Sequence, residues 1–271
     1  MVSANVQQQY RTTNLLQTRI DTHARYSERT FGAGLHAECA EALRLTGDES
    51  LLDVGCGPGA FGRHLRAHGH TGRLAGLDQS AAMIAAAAAA SAGMEIDWHV
   101  GKVDHLPFPD GAFDIISARH MLYHVADIPA ALREIARVVG PNGTVFATTN
   151  SRENLPLIGA LKNDLAAYFG LSVPPESSVM FNTSDAPGML GAVYPVVKER
   201  VLSNALVFTE AEPIVAYVLT MMVVQQTADR PELYAALHRW LHEETTRRLA
   251  TMGGIWRDPK DVGLYVCRVL P

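Results

Sequence analysis

The sequence predicts an α/β fold, a mostly parallel sheet with helices on both faces. Three observations predict it. An apolar run at residues 51–54 ends in a glycine-rich turn and passes into helical spacing. Strand-like and helix-like segments then alternate five times up to Asn150, the pattern of a parallel sheet with right-handed crossovers. Beyond Asn150 the rhythm breaks, which predicts a separate covering layer.

Composition sets the bounds. A chain of 271 residues is enough for one large α/β domain or a domain with a sizeable insertion. With 48% hydrophobic and 19% charged residues it has material for a real core. The net charge of −5, with no long basic run, argues against nucleic acid or a membrane as the main partner. Cys39, Cys56 and Cys267 are scattered and odd in number, as small buried residues in a reducing compartment are. Residues 1–11 lack a basic-then-apolar signal pattern, and the longest apolar runs are too short to span a bilayer. A cytoplasmic location is expected.

Residues 1–9 are expected to be loose, and 15–30 are polar and mixed. Leu35, Cys39, Ala42 and Leu43 share one helical face. Strand one covers 51–54, and its helix runs to about His68. His64 and His68 have the spacing of a helical metal pair, but no third ligand is near, so they read as solvated and no metal site is assigned. Strand two, 73–77, ends at Asp78, and Ser80 caps an alanine-rich helix. Strand three covers about 95–100 and strand four 113–118, after a turn at 107–111. Asp127 and Pro129 open a helix with Leu132, Ile135 and Val139 on its apolar face. Gly140 to Gly143 stop it before strand five, 144–148. A helix at 155–169, a Pro-Pro pair and apolar residues including Val179, Met180 and Phe181 follow. Then come a long strand (193–208), helices near 212–224 and 231–251, and a last strand (262–269).

The chemistry starts at the glycine turn. Gly55, Gly57 and Gly59 let the backbone take positive φ and let a ligand lie against the main chain. Gly55, Gly57 and Ala60 also fit the dinucleotide pattern G-x-G-x-x-G/A, and a buried turn with no ligand is the plain alternative. Asp53 tilts the choice, because a carboxylate before the first glycine faces a diphosphate unfavourably and suits a ligand with an ammonium group. Asp78, at the end of strand two, can accept hydrogen bonds from both hydroxyls of a ribose.

D-V-G-C-G-P-G at 53–59 resembles the first motif of class I S-adenosylmethionine-dependent methyltransferases. LPFPDGAFDIISARHMLYHV and RVVGPNG resemble the family's later motifs, so that the likeness covers about 51–148. It implies a Rossmann-like, seven-stranded, mostly parallel sheet, a last strand that is antiparallel and inserted beside strand six, and a helical cap between strands five and six. Residues 1–47 would then be helices covering the cofactor, 48–150 the S-adenosylmethionine-binding core, 151–192 the cap, and 193–271 the completion of the sheet. In such proteins a Tyr or Arg of the first helices often meets the cofactor carboxylate, which makes Arg25, Tyr26 and Arg29 candidates beside the plain reading of a solvated face.

The resemblance further implies cofactor contacts from Asp53, Gly55, Cys56, Gly57, Gly59 and Asp78, from Gln79 and Met83 along the adenine, and from Lys102, Val103, Ala118 and Arg119. Lys102 departs from the family, which often has an acid there for the adenine amine. Asp104 stands two residues on, and Val103 could offer its backbone N–H. Tyr123 and His124 follow strand four, where the family puts active-site residues. His124 is the candidate to take or orient an acceptor proton, and Tyr123, Met180 and Phe181 are candidate substrate contacts. His120 and His124, four apart, lack a third partner for a metal. The expected function is methyl transfer from S-adenosyl-L-methionine, leaving S-adenosyl-L-homocysteine, to a nitrogen, oxygen or carbon atom of a small, partly apolar molecule. Secondary metabolism is a loose fit to the Ala-, Gly-, Pro- and Arg-rich composition. The alternatives are a non-catalytic S-adenosylmethionine-binding protein and, disfavoured by Asp53, a nicotinamide-dependent oxidoreductase.

Overall fold

A computed structural model describes residues 13–28, 34–174 and 180–270. The loose segment expected at 1–9, and the candidates Arg29 and Val179, lie outside the described residues. Two helices, α1 (Thr13–Tyr26) and α2 (Leu35–Leu43), precede the sheet. Five strands alternate with helices: β1 (Leu51–Val54), α3 (Ala60–Ala67), β2 (Leu74–Asp78), α4 (Ala81–Ala90), β3 (Asp97–Val100), β4 (Ile115–Arg119), α5 (Ile128–Val139) and β5 (Thr144–Asn150). Then follow α6 (Pro156–Phe169), α7 (Ala186–Gly191), β6 (Val196–Phe208), α8 (Glu212–Leu219), α9 (Met222–Gln225), α10 (Pro231–Thr251) and β7 (Trp256–Arg268).

The seven strands form one sheet in the order β3-β2-β1-β4-β5-β7-β6. β1 pairs in parallel with both β2 and β4, and β7 runs antiparallel between β5 and β6. The expected architecture therefore holds. The strand order reverses between β1 and β4, and a crevice opens at the carboxyl ends of such neighbours.

Local chemistry explains the boundaries. The Ser80 hydroxyl caps α4 by accepting from the Met83 N–H at 3.4 Å, and Asp127 caps α5 through the Ala130 N–H at 2.9 Å. Such caps contribute about 1 kcal/mol each. Gly59 closes the first turn with φ 73°, and a Cβ there would run into the Trp98 ring and the Ala87 methyl. The alanine-rich α4 and this glycine together make room for one indole.

The last strand begins earlier than the expected 262, at Trp256. Beyond the Asn150–Val262 pair β7 has only β6 beside it, so Pro259 sits at a local edge where its missing N–H costs no ladder bond.

Three apolar clusters hold the molecule. One packs α5 and α7 with the sheet and includes Phe181, Tyr194 and Tyr265. A second, on α2 and α3, includes Cys39, Phe61 and Leu65. The third joins α6 to α8, α9 and α10 around Trp256. The covering layer thus draws on 193–271 as well as on the expected cap at 151–192. The buried Asp258 of β7 explains the attachment of α6, since its two oxygens accept from the Leu157 and Ile158 N–H groups at 2.9 and 2.8 Å.

Candidate functional site

A cavity of about 730 Å³ opens at the carboxyl ends of β1, β2 and β4. Its floor is the glycine turn. Gly57 has φ 53°, and the space where its Cβ would stand is open to 4 Å. Gly55 faces Met121, whose Cβ would lie 2.6 Å from an added methyl. The turn is braced by Asp78: one oxygen accepts from the Gly57 N–H at 3.0 Å and the other from the Ser80 N–H at 2.9 Å. Each oxygen keeps a lone pair for a further donor. Burial raises the Asp78 carboxyl above its ordinary range, against the pull of those two N–H groups.

The lining includes Gln79, Met83, Lys102, Val103 and Asp104. Arg119, His120, Met121 and His124 also line it, as do Leu16 and Ile20 of α1. Nine expected cofactor and active-site positions thus meet in one space: Gly55, Cys56, Gly57, Asp78, Gln79, Met83, Lys102, Val103 and His124. Arg119, expected beside the cofactor, joins them.

Other expected positions lie off the cavity lining. Asp53 does not line the cavity. Its side chain is buried and bound to Arg119, whose Nη2 and Nε donate to its two oxygens at 2.9 and 3.4 Å. The pairing follows from register: Asp53 lies opposite Ser117, two residues before Arg119, so the two side chains are diagonal neighbours on one face. Arg119 also stacks on Phe61, 4.1 Å from the ring centroid. Burial disfavours the guanidinium charge, and the Asp53 carboxylate more than offsets this, so Arg119 is held above its ordinary range.

Gly59 serves packing under Trp98, and Ala118 is fully buried within the sheet. Tyr123 packs against the main core and stacks edge-on to His124 at 4.5 Å, off the cavity wall. Phe181 is 0% exposed in that core, and its carbonyl accepts from the Thr149 hydroxyl at 2.7 Å. Met180, next to it, is 46% exposed. Neither lines the cavity: beside the end of β5, Phe181 turns into the core and Met180 into water. Tyr26 packs on Phe208 at 4.9 Å with Arg25 over its ring, so α1 offers Leu16 and Ile20 to the cavity in their place.

Sequence reasoning missed Leu16, Ile20 and His36. Their signal is weak: Leu16 and Ile20 sit in the polar, mixed stretch 15–30, and His36 lies next to the apolar face of Leu35, Cys39 and Leu43. His120 was seen only as half of a metal pair. Its φ of 50° is unusual for a residue with a side chain, and its N–H donates to the Thr148 carbonyl at 3.0 Å. That strained turn re-aims the chain at the end of β4 so that His120 and His124 both face the cavity. Burial and the cations nearby hold the two imidazoles down to about 4, and burial with Arg119 holds His36 down to about 3. All three are neutral at pH 7.

Burial pushes the thiol of Cys39 up to about 11 and that of Cys267 up to about 12, and raises Cys56, so none is a nucleophile. His64 and His68 stack at 4.1 Å, and among the described residues no three His, Cys, Asp or Glu side chains converge on a metal site. No helix among the described residues is long and apolar enough to cross a membrane.

Comparison with known proteins agrees with this geometry. Residues 52–147 match the family model described as a methyltransferase domain. The chain is 35% identical over 133 residues to malonyl-[acyl-carrier protein] O-methyltransferase of Erwinia billingiae, covering 47% of this chain and 51% of that one. It is 35% identical over 125 residues to demethylmenaquinone methyltransferase of Staphylococcus aureus, again across 51% of that protein. The match spans about half the length of these relatives. Among solved structures, phosphoethanolamine N-methyltransferase 2 of Haemonchus contortus, held with S-adenosylhomocysteine, shares the fold at a TM-score of 0.60 and 14% identity, across 100% of this chain and 60% of that one. The [4+2]-cyclase SpnF shares it at 0.58 and 18% identity, across 96% and 93% of the two chains.

Proposed function

We propose, for a chain that belongs over residues 52–147 to the class I S-adenosylmethionine-dependent methyltransferases, that it transfers a methyl group to a small, partly apolar acceptor. The observation that carries this reading is a single cavity. The Gly55–Gly57 turn, Asp78, His120, Met121 and His124 all line it, with Met121 packed against Gly55. A cofactor on the glycine turn and an acceptor beside the histidines would share this one space, and about 730 Å³ falls in the usual range for such sites.

The residues fit the cofactor. The open face of Gly57 admits an adenosyl-sized ligand against the backbone. The spare lone pairs of Asp78 suit ribose hydroxyls. Arg119, fixed by Asp53, is a cation on the cavity wall, suited to the carboxylate of the methionine part. Asp104, an acid that also lines the cavity, suits the adenine amine. When bound, S-adenosylmethionine supplies a methyl group on a sulfonium, a leaving group that needs no proton. The chain's own task is to align the acceptor and keep water out. Leu16 and Ile20 do the second, and His124 holds or takes the acceptor proton at a ring nitrogen.

By their names, the relatives act on malonyl-[acyl-carrier protein] and on demethylmenaquinone. A partly apolar acceptor suits a cavity lined by Leu16, Ile20, Met121 and Val125. A shared fold alone does not decide chemistry. The test is therefore chemical: titration with S-adenosylhomocysteine, then transfer of labelled methyl from S-adenosylmethionine to a panel of small acceptors. Tight binding with transfer supports the reading. Binding with no transfer to any acceptor favours a non-catalytic binding protein, and no binding overturns it.

A further inference from the structure

Among the described residues, Arg44, His120, Asn142 and Leu155 hold a left-handed backbone without being glycine, with φ of 52°, 50°, 67° and 54°. Three of them have a local reason. Arg44 ends α2 as its cap. Asn142 lies in the turn between α5 and β5, and asparagine tolerates this conformation well. Leu155 opens α6 and is 4% exposed, so its side chain goes into the core. His120 ends no helix and is only half-buried. It follows Arg119, the last residue of β4, and it lines the cavity.

Neighbouring elements enforce the conformation. The His120 N–H donates to both the carbonyl and the hydroxyl of Thr148, at 3.0 and 3.2 Å. Thr148 is buried on β5 and pairs in register with Arg119. One residue on, Met121 packs so closely on Gly55 that an added Cβ there would lie 2.6 Å from its own. The chain is thus pinned to β5 at His120 and to the glycine turn at Met121. Backbone strain over-determined in this way costs stability, and it collects at sites where a side chain must be aimed.

The aimed ring has hydrogen-bonding capacity to spare. Among the described residues nothing hydrogen-bonds the His120 imidazole, and neither of its nitrogens is sealed off. Burial and the cations nearby hold it down to about 4, so at pH 7 one nitrogen donates and the other accepts. Leu16, Ile20, Met121 and Val125 give the same cavity an apolar lining. A polar group in such a lining discriminates, because a ligand that displaces its water and offers no hydrogen bond leaves it unpaired.

We propose that His120 orients the acceptor: its ring hydrogen-bonds a hydroxyl or carbonyl oxygen of the acceptor, separate from the atom that His124 serves, and selects molecules that carry such an oxygen. The acceptor role rests on the methyl-transfer reading, whereas the hydrogen bond to an oxygen of a bound molecule does not.

The experiment uses the full chain, with and without saturating S-adenosylhomocysteine, and two probes of similar shape, phenol and toluene. Calorimetric titration gives both dissociation constants, and the ratio of toluene to phenol isolates the hydroxyl. In His120→Phe and His120→Gly that ratio should fall about three- to tenfold, the worth of one neutral hydrogen bond. His120→Asn keeps a donor and an acceptor and tolerates the left-handed backbone, so it should restore part of the ratio. S-adenosylhomocysteine should bind all variants alike. The urea midpoint of His120→Gly should stand at or above that of the parent, because glycine relieves the strain. That variant also keeps the test open if His120→Phe fails to fold. An unchanged ratio in folded His120→Gly, or no saturable binding of phenol to the parent, overturns the proposal. A midpoint of His120→Gly clearly below the parent's also overturns it, since the ring would then be holding the fold. If the ratio falls as expected while S-adenosylhomocysteine does not bind, the methyl-transfer reading fails and the oxygen contact stands.

Discussion

Arg119 is clamped to Asp53 by two hydrogen bonds, at 2.9 and 3.4 Å, across adjacent strands beneath the cavity wall. The pair is buried, so its worth depends on both members being present. Removing one partner from a buried pair costs about 3–5 kcal/mol, because the other charge is left stranded. Arg119→Met should therefore destabilise strongly and weaken S-adenosylmethionine binding. The double change Asp53→Leu with Arg119→Met should regain much of the stability and none of the cofactor affinity. Urea denaturation and calorimetric titration of the single and double variants check this. Recovery of affinity in the double variant would remove Arg119 from the cofactor site.

Asp78 braces Gly57 and Ser80 and still has room for ribose hydroxyls. Asp78→Ala deletes charge-assisted hydrogen bonds worth about 1.5–3 kcal/mol each, so cofactor affinity should fall at least about tenfold. Asp78→Asn should keep part of it. Equal affinity for parent and Asp78→Ala in titration would show that the ribose lies elsewhere.

His124 is held down to about 4 by burial and by Arg19, so it is neutral at pH 7 and can accept a proton. Protonation as pH falls through about 4 removes that capacity, so the acid limb of kcat/KM should lie near there, well below the ordinary histidine range. His124→Ala should lower kcat by about 10²-fold or more if the residue acts as a base. His124→Gln should restore most of the rate if it only orients the acceptor. A rate within threefold of the parent in folded His124→Ala would make the residue structural.

Phe181 and Met180 give a contrast between neighbours. Phe181 is fully buried in the main core, and truncation of such a ring costs about 3–5 kcal/mol. Met180→Ala, at a half-exposed position, should stay within about 0.5 kcal/mol. Both should leave KM for the acceptor unchanged in folded protein. A rise in KM with Met180→Ala would restore it to the substrate site.

The sheet was legible because its signals are local. The apolar run into Asp53, the Ser80 and Asp127 caps and the glycine stop at 140–143 each act within a few residues. The glycine turn of the cavity was legible for a related reason: Gly57 and Asp78 sit at strand ends, where chain position fixes spatial position. The acceptor side was not. Phe181 and Met180 look alike in sequence, and only the path of β5 and α7 decides which is buried. The Asp53–Arg119 pair joins residues 66 apart, and Lys260 meets His23 across 237. Nothing local to either residue announces such a partner.

Four histidines make stability depend on pH. His23 and His36 are held down to about 3, and His120 and His124 to about 4, in each case first by burial. In the unfolded chain each titrates at its ordinary value of 6.5. Between these values the unfolded state binds protons that the folded state refuses. Stability is therefore whole above about 6.5 and is lost as pH falls, until His120 and His124 charge near 4 and His23 and His36 near 3. Each imidazole contributes at most about 1.4 kcal/mol per pH unit within its window. Lys260, lowered by burial from 10.5 to about 8, has the same sign in a higher window, where stability rises with pH. Urea midpoints should drop clearly between pH 7.5 and pH 5.5, and His36→Gln should flatten the slope by one histidine's share. A midpoint that stays level over this range would mean that these imidazoles carry their protons in the folded protein, and that the cavity wall is more polar than its packing implies.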